Sequence, residues 1–138
     1  MVFSGSVPPD YPDFSYQNLI TSARERGAYT IIDSSGDLLR EAIKGCPDLI
    51  KMNAQEAGEL AGQEIDGKKQ AIGFAQTLLG QKVGAVVVSL GARGSVLVTP
   101  SGAWALAVPE IEVRSAVGAG DCLVAGIAVA LSRKRPLE

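Results

Sequence analysis

Apolar residues fall along this chain in two rhythms. Some form short unbroken runs, the mark of strands buried on both sides, and others recur at three- and four-residue spacing, the mark of helices with one buried face. Val2-Phe3 ends a short apolar piece that reads as a strand. Ser4-Gly5-Ser6-Val7-Pro8-Pro9-Asp10 is loop, because two prolines and a glycine forbid a regular ladder. Asp13 is placed to cap a helix whose face is Tyr16, Leu19, Ile20 and Ala23, with Gly27 as its stop. Tyr29-Thr30-Ile31-Ile32 is β-branched and continuous, and ends at the polar Asp33-Ser34-Ser35-Gly36. Leu38 to Ile43 forms a short helix before Gly45, and Asp48-Leu49-Ile50-Lys51-Met52 a further strand. Asn53 can cap a helix over 54–60, and Ile65-Asp66-Gly67 is a turn. Ala71, Phe74, Ala75, Leu78 and Leu79 make a helical stripe that Gly80 ends. Ala85-Val86-Val87-Val88-Ser89-Leu90 is the strongest strand, with the unbroken apolar character of a central one. Ser95 to Val98 and Ala103 to Leu106 flank Thr99-Pro100-Ser101-Gly102, a hairpin signature. Val108 to Val113 then runs towards Gly118-Ala119-Gly120-Asp121. Leu123, Val124, Ile127, Ala128 and Leu131 give one face of a last helix, with Arg133, Lys134 and Arg135 near its C-terminus, where the dipole prefers cations.

Strands alternating with helices predict an α/β layered sheet, largely parallel, with right-handed crossovers. Such sheets bind ligands at the carboxyl ends of their strands. Each polar or glycine-rich phrase here follows a strand, so these phrases are expected to converge on one edge. At 138 residues, 46% apolar and 20% charged, the chain is one ordinary globular unit, which excludes wholesale disorder. A net charge of −2 leaves no basic footprint for nucleic acid. Histidine is absent, which removes His-based triads, His-ligated zinc and any imidazole switch. Cys46 and Cys122 are far apart, form no metal knuckle, and are expected to be buried thiols. No apolar run is long enough to span a membrane, and no signal peptide is visible. The expected compartment is the cytoplasm.

Three phrases can carry chemistry. Gly118-Ala119-Gly120-Asp121 opens a helix, where small residues let the backbone approach a ligand and free N–H groups favour an anion. The Asp121 carboxylate can accept a hydroxyl proton there, or it can merely stabilise the helix start. The phrase is neither a dinucleotide fingerprint nor a Walker A loop. In Lys51-Met52-Asn53-Ala54-Gln55-Glu56, Asn53 and Glu56 share a helix face and offer hard oxygen ligands of the kind Mg²⁺ takes, usually through water. The same pair also fits a capping box, while Lys51 can meet a phosphate. Ser89-Leu90-Gly91-Ala92-Arg93-Gly94 is either a bend against a ligand or a plain turn into the hairpin. Asp33-Ser34-Ser35-Gly36 and Ser4-Gly5-Ser6 are generic turn chemistry taken singly, and Trp104 reads as a packing residue.

In order and together, these phrases resemble the C-terminal part of the pfkB-type carbohydrate kinases, in the phosphofructokinase-like branch. The matching stretches are Ser4 to Pro9, Asp33 to Gly36, Lys51-Met52-Asn53 with Glu56, Val86 to Gly91 with Gly94, and Val117 to Gly126. The resemblance implies a ribokinase-like three-layer α/β sandwich with a mostly parallel sheet. It implies transfer of the ATP γ-phosphoryl group, with Mg²⁺, to a hydroxyl of a sugar phosphate: fructose 1-phosphate, fructose 6-phosphate or tagatose 6-phosphate. Asp121 matches the catalytic base, and Gly118, Ala119 and Gly120 match the anion hole. Asn53 and Glu56 match the motif that organises Mg²⁺ and phosphate, and Lys51 meets a phosphate. Ser89, Gly91 and Gly94 match the nucleotide-side loop, and Ser6 approaches the sugar phosphate. Ala116 stands where Thr or Ser is usual, Met52 where Pro is common, and Cys122 where Ser or Ala is common. The resemblance also implies that an N-terminal half with a β-sheet lid, and the last C-terminal helices, lie outside this chain. It implies a homo-oligomer, or pairing with that missing half. A non-catalytic nucleotide- or phosphate-binding piece is the alternative.

Overall fold

The computed structural model describes residues 1–138 except 9–10, 12–13, 110–111, 113–114 and 138. Six strands form one sheet in the order β1 (Val2–Ser4), β2 (Ile31–Asp33), β3 (Leu49–Asn53), β4 (Val86–Ser89), β5 (Ser95–Thr99) and β6 (Gly102–Leu106). β1 to β4 are mutually parallel, and β4, β5 and β6 are antiparallel. Helices α1 (Tyr16–Glu25), α2 (Gly36–Lys44), α3 (Ala54–Ala61) and α4 (Lys68–Leu79) fill the three crossovers, and α5 (Ala119–Ser132) follows the hairpin. This is the expected alternation, and the 85–90 run is indeed an interior strand, at the change from parallel to antiparallel pairing.

The two faces of the sheet are covered differently. Ile32, Ile50, Met52, Val86, Val88, Val96 and Val98 point to one face, where they pack with Tyr16 and Ile20 of α1, Leu39, Ala42 and Ile43 of α2, Ala57 of α3, and Ala71, Ala75 and Leu78 of α4. Crossovers of one hand between neighbouring parallel strands must put all their helices on the same side. Ile31, Leu49, Ala85, Val87 and Leu97, one residue out of phase, point to the other face and meet Val124 of α5. Trp104, Leu123, Ile127, Ala128 and Leu131 pack around that smaller cluster, so Trp104 is a packing residue.

Local expectations shift at a few points. The cap of α1 is Ser15, whose hydroxyl accepts from Asn18 N at 3.2 Å and also bonds Glu41 of α2. Asp13, the expected cap, lies outside the described residues. Leu19 points out of the core and is exposed, because α1 buries only the narrow stripe Tyr16, Ile20 and Ala23. β2 starts at Ile31 rather than Tyr29. Thr30 is instead occupied by Asp48, whose Oδ2 accepts from Thr30 N and Oγ1 at 2.8 and 2.7 Å. The thiols are not buried: Cys46, just past α2, is half-buried, and Cys122, ahead of the inward-facing Leu123 and Val124 of α5, is exposed; both are free. Gly27 takes the left-handed conformation just past α1, as its place in the sequence predicts. The 108–113 run is described only in part, and no helix among the described residues is long and apolar enough to cross a membrane.

Candidate active site

Parallel pairing sets the polar strand ends at one level. Ser4 pairs with Asp33, Asp33 with Lys51, and Asn53 with Ser89. On the α5 side of the sheet the strands change from apolar to polar as they run forward: Ile31 to Asp33, Leu49 to Lys51 and Asn53, Val87 to Ser89. The polar edge expected at the carboxyl ends is therefore present, on the face that α5 covers.

Its centre is an ion pair. Lys51 Nζ lies 3.0 Å from Asp33 Oδ1, with side chains 7% and 11% exposed. A Cβ on Gly120 would fall 2.6 Å from that same Nζ, so the lysine ammonium lies against the first turn of α5. Gly118 supplies the left-handed N-cap of that helix at φ 82°, and its carbonyl accepts from Cys122 N at 2.9 Å. Asp121 follows in the first turn and is exposed. Gly118, Ala119, Gly120, Asp121 and Lys51, chosen separately from the sequence, thus meet at one place.

Asn53 and Glu56 form a complete capping box at the start of α3. Asn53 Oδ1 accepts from Glu56 N at 2.9 Å, and Glu56 Oε2 accepts from Asn53 N at 2.8 Å. Among the described residues the capping bonds use only Glu56 Oε2 and Asn53 Oδ1 of these side chains, so the capping role does not compete with a ligand role. Among the described residues no three acidic, Cys or His side chains could cage a metal on their own. One carboxylate oxygen and one amide suit Mg²⁺ that keeps most of its waters and is shared with phosphates.

The Ser89–Gly94 loop lies one strand further along the edge. Ser89 Oγ donates to Met52 O at 3.5 Å, and Leu90 N donates to Gly94 O at 2.8 Å, closing a tight turn over Gly91–Arg93. Gly94, at φ 90°, leaves no room for a side chain: a Cβ would come within 1.9 Å of Leu106 O on β6. Its requirement for glycine thus comes from the hairpin, whereas Gly91, at φ 60°, faces open space. Arg93 anchors the loop to Asp66, with Nη1 2.8 Å from Oδ1. At the other end, Ser6 is exposed in the loop after β1. That loop is tied to β2, since Gly5 N donates to Asp33 O at 3.0 Å and Ser34 Oγ donates to Gly5 O at 3.1 Å.

Asp33 is the residue to which sequence reading gave no role. A signal for it exists. Ile31-Ile32-Asp33 and Leu49-Ile50-Lys51 each put a charge at the third position after two apolar residues, with opposite signs. Only strand register turns that coincidence into a contact.

The family described as pfkB family carbohydrate kinase matches residues 1–138. The chain is 32% identical over 138 residues to a 1-phosphofructokinase of Bacillus subtilis (strain 168), covering 100% of this chain and 46% of that one. It is 35% identical over 135 residues to a 1-phosphofructokinase of Escherichia coli (strain K12), covering 98% and 43%. A solved structure of a phosphofructokinase-2 mutant from Escherichia coli superposes with a TM-score of 0.90 at 33% identity, covering 99% of this chain and 45% of that one. The chain therefore spans less than half the length of these relatives.

Proposed function

This chain belongs to the pfkB family of carbohydrate kinases, and from that premise we propose that it provides the phosphoryl-transfer site of an ATP-dependent kinase for sugar phosphates. In this reading residues 1–138 are one partial ribokinase-like domain. The observation that carries it is the convergence of Lys51, the first turn of α5 and Asp121 at the carboxyl edge of the parallel strands.

Phosphoryl transfer asks a protein mainly for positioning and for stabilisation of spreading negative charge. The N–H groups of Gly118, Ala119 and Gly120, at the positive end of α5, stabilise charge on the transferred group. The Lys51 ammonium adds a point charge beside them. Asp121, next in the same turn, takes the proton from the acceptor hydroxyl. Asn53 and Glu56 would hold Mg²⁺ through water or phosphate, and Mg²⁺ would supply neutralisation of charge on the phosphates. Ser89, Gly91 and Gly94 form the nucleotide side of the site, and Ser6 the sugar-phosphate side. Relatives named 1-phosphofructokinase put fructose 1-phosphate first among the acceptors, ahead of fructose 6-phosphate and tagatose 6-phosphate.

A second reading is a nucleotide- or phosphate-binding piece that acts only beside a complementary chain: a second copy, or the N-terminal half that its relatives contain. The exposure of Val2 on the outer strand β1 favours it. ADP release from MgATP with each of the three sugar phosphates tests both, with Asp121→Asn as control. Turnover that Asp121→Asn lowers by about a hundredfold or more supports the kinase with Asp121 as base. Turnover indifferent to the substitution removes Asp121 from that role. MgATP binding with no turnover favours the second reading.

A further inference from the structure

We propose that Asp33 is a positioning residue whose carboxylate fixes the Lys51 ammonium at the N-terminus of α5, readying it for a phosphate oxygen. The identity of the anion rests on the kinase reading above, but the placement does not.

The argument begins with an electrostatic oddity. Lys51 is a nearly buried cation pressed against the start of a helix, whose exposed N–H groups and dipole repel positive charge. Burial also disfavours a charged ammonium. A fold selected for stability alone would do as well with apolar residues at both positions, since buried ion pairs are commonly replaced without loss. The arrangement makes sense if ammonium and helix N–H groups are aimed together at an anion, and then something must keep the lysine charged and in place. Asp33 does so. It stands opposite Lys51 in the parallel ladder, on the same face, and accepts one of the three ammonium N–H bonds at 3.0 Å. Its own strand end is fixed, because Asp33 O accepts from Gly5 N. Gly120 completes the device: any side chain there would occupy the space of the ammonium. Lysine has a long flexible stem, and a carboxylate that fixes its end in advance removes the ordering cost from the binding step.

The test uses the full chain and four variants: Asp33→Asn, Asp33→Glu, Lys51→Met and the Asp33→Asn/Lys51→Met double. The first readout is the ¹H–¹⁵N resonance of the Lys51 ammonium, assigned by its loss in Lys51→Met. It is expected to be protected from water exchange in the wild type, to lose that protection in Asp33→Asn, and to shift but persist in Asp33→Glu. A resonance unchanged in Asp33→Asn overturns the proposal, and no nucleotide is needed to see it. The second readout is MgATP affinity by titration calorimetry. Asp33→Asn is expected to weaken it about tenfold, and the double variant to bind no more weakly than Lys51→Met alone. Losses that add in the double variant mean that Asp33 acts independently of Lys51, which also overturns the proposal. If the wild type binds no MgATP while the resonance responds to Asp33 as expected, the positioning stands and the kinase reading falls. Gly120→Ala is expected to disturb the same resonance, and should Asp33→Asn not fold, Asp33→Glu and Gly120→Ala decide the matter by that signal.

Discussion

The two faces of the sheet share strands but not a purpose. On the side of α1 to α4, every strand residue from end to end is apolar, and Met52 and Val88 are as buried at the carboxyl edge as Ile32 and Ile50 are further back. On the α5 side the same strands begin apolar and finish as Asp33, Lys51, Asn53 and Ser89. Because alternate residues of a strand point to opposite faces, one segment serves both ends at once. Met52 anchors the core between two residues of the proposed site, Lys51 and Asn53. The lesson is that the apolar core and the polar edge are divided by phase along a strand rather than by region of the chain.

The sharpest way to break this division is at Ile50, fully buried on the four-helix side and adjacent to Lys51. Ile50→Ala is expected to cost about 2–5 kcal/mol in a urea titration, with MgATP affinity of the folded fraction unchanged. Equal damage to binding would mean that the faces are mechanically one. The converse experiment replaces the ion pair by Asp33→Leu with Lys51→Met. Stability should stay within about 1 kcal/mol of wild type or rise, while MgATP binding, followed by calorimetry, is lost. A large loss of stability would show that the pair serves the fold.

Asn53 is finer, because it belongs to both sides of the comparison. Serine keeps an N-cap and can still pair with Glu56, so Asn53→Ser should change stability by less than about 0.5 kcal/mol. It nevertheless removes the amide and should weaken MgATP binding. If it changes neither quantity, Asn53 is a cap and nothing more. The smallest effect is expected at high pH. Burial pushes the Tyr16 hydroxyl above its ordinary pKa, and burial followed by the Asp48 charge does the same to Tyr29. A pKa raised in the folded state favours folding fully below about pH 10, and that contribution disappears as pH rises through the raised value. Unfolding midpoints should therefore fall slightly above pH 10, and Tyr16→Phe, which also removes the hydroxyl that donates to Gly5 O at 3.2 Å, should flatten part of that fall.

What the sequence made legible follows from the same division. Continuous runs such as 85–90 and stripes such as Ala71, Ala75 and Leu78 announce elements directly, because burial on a regular backbone leaves a period. The helix start at Gly118 to Asp121 was legible because glycine supplies its left-handed N-cap and an acidic residue suits its first turn. The Asp33–Lys51 contact was not, since it arises between strands eighteen residues apart and depends on register. Leu19 misled for a related reason: it has helical spacing, but the width of the buried stripe is set by the neighbouring helix α2 and not by α1. Gly94 was legible as a glycine that matters, but the backbone contact with Leu106 that demands glycine there comes from strand pairing and leaves no local signal.

The helix that carries the proposed anion-facing turn has a modest footing. Of its fourteen residues only Val124 is fully buried, with Leu123, Ile127, Ala128 and Leu131 partly so. Regions with few buried contacts open locally at a smaller free energy than the whole molecule. Amide protons of α5 should thus exchange with deuterium through a sub-global opening, well before those of β3 and β4. An anion seated on Lys51 and the first turn of α5 would bind only the closed form, and mass action would then slow that exchange in step with occupancy. The first turn of α5 would then report on the proposed ligand, readable in time rather than in affinity.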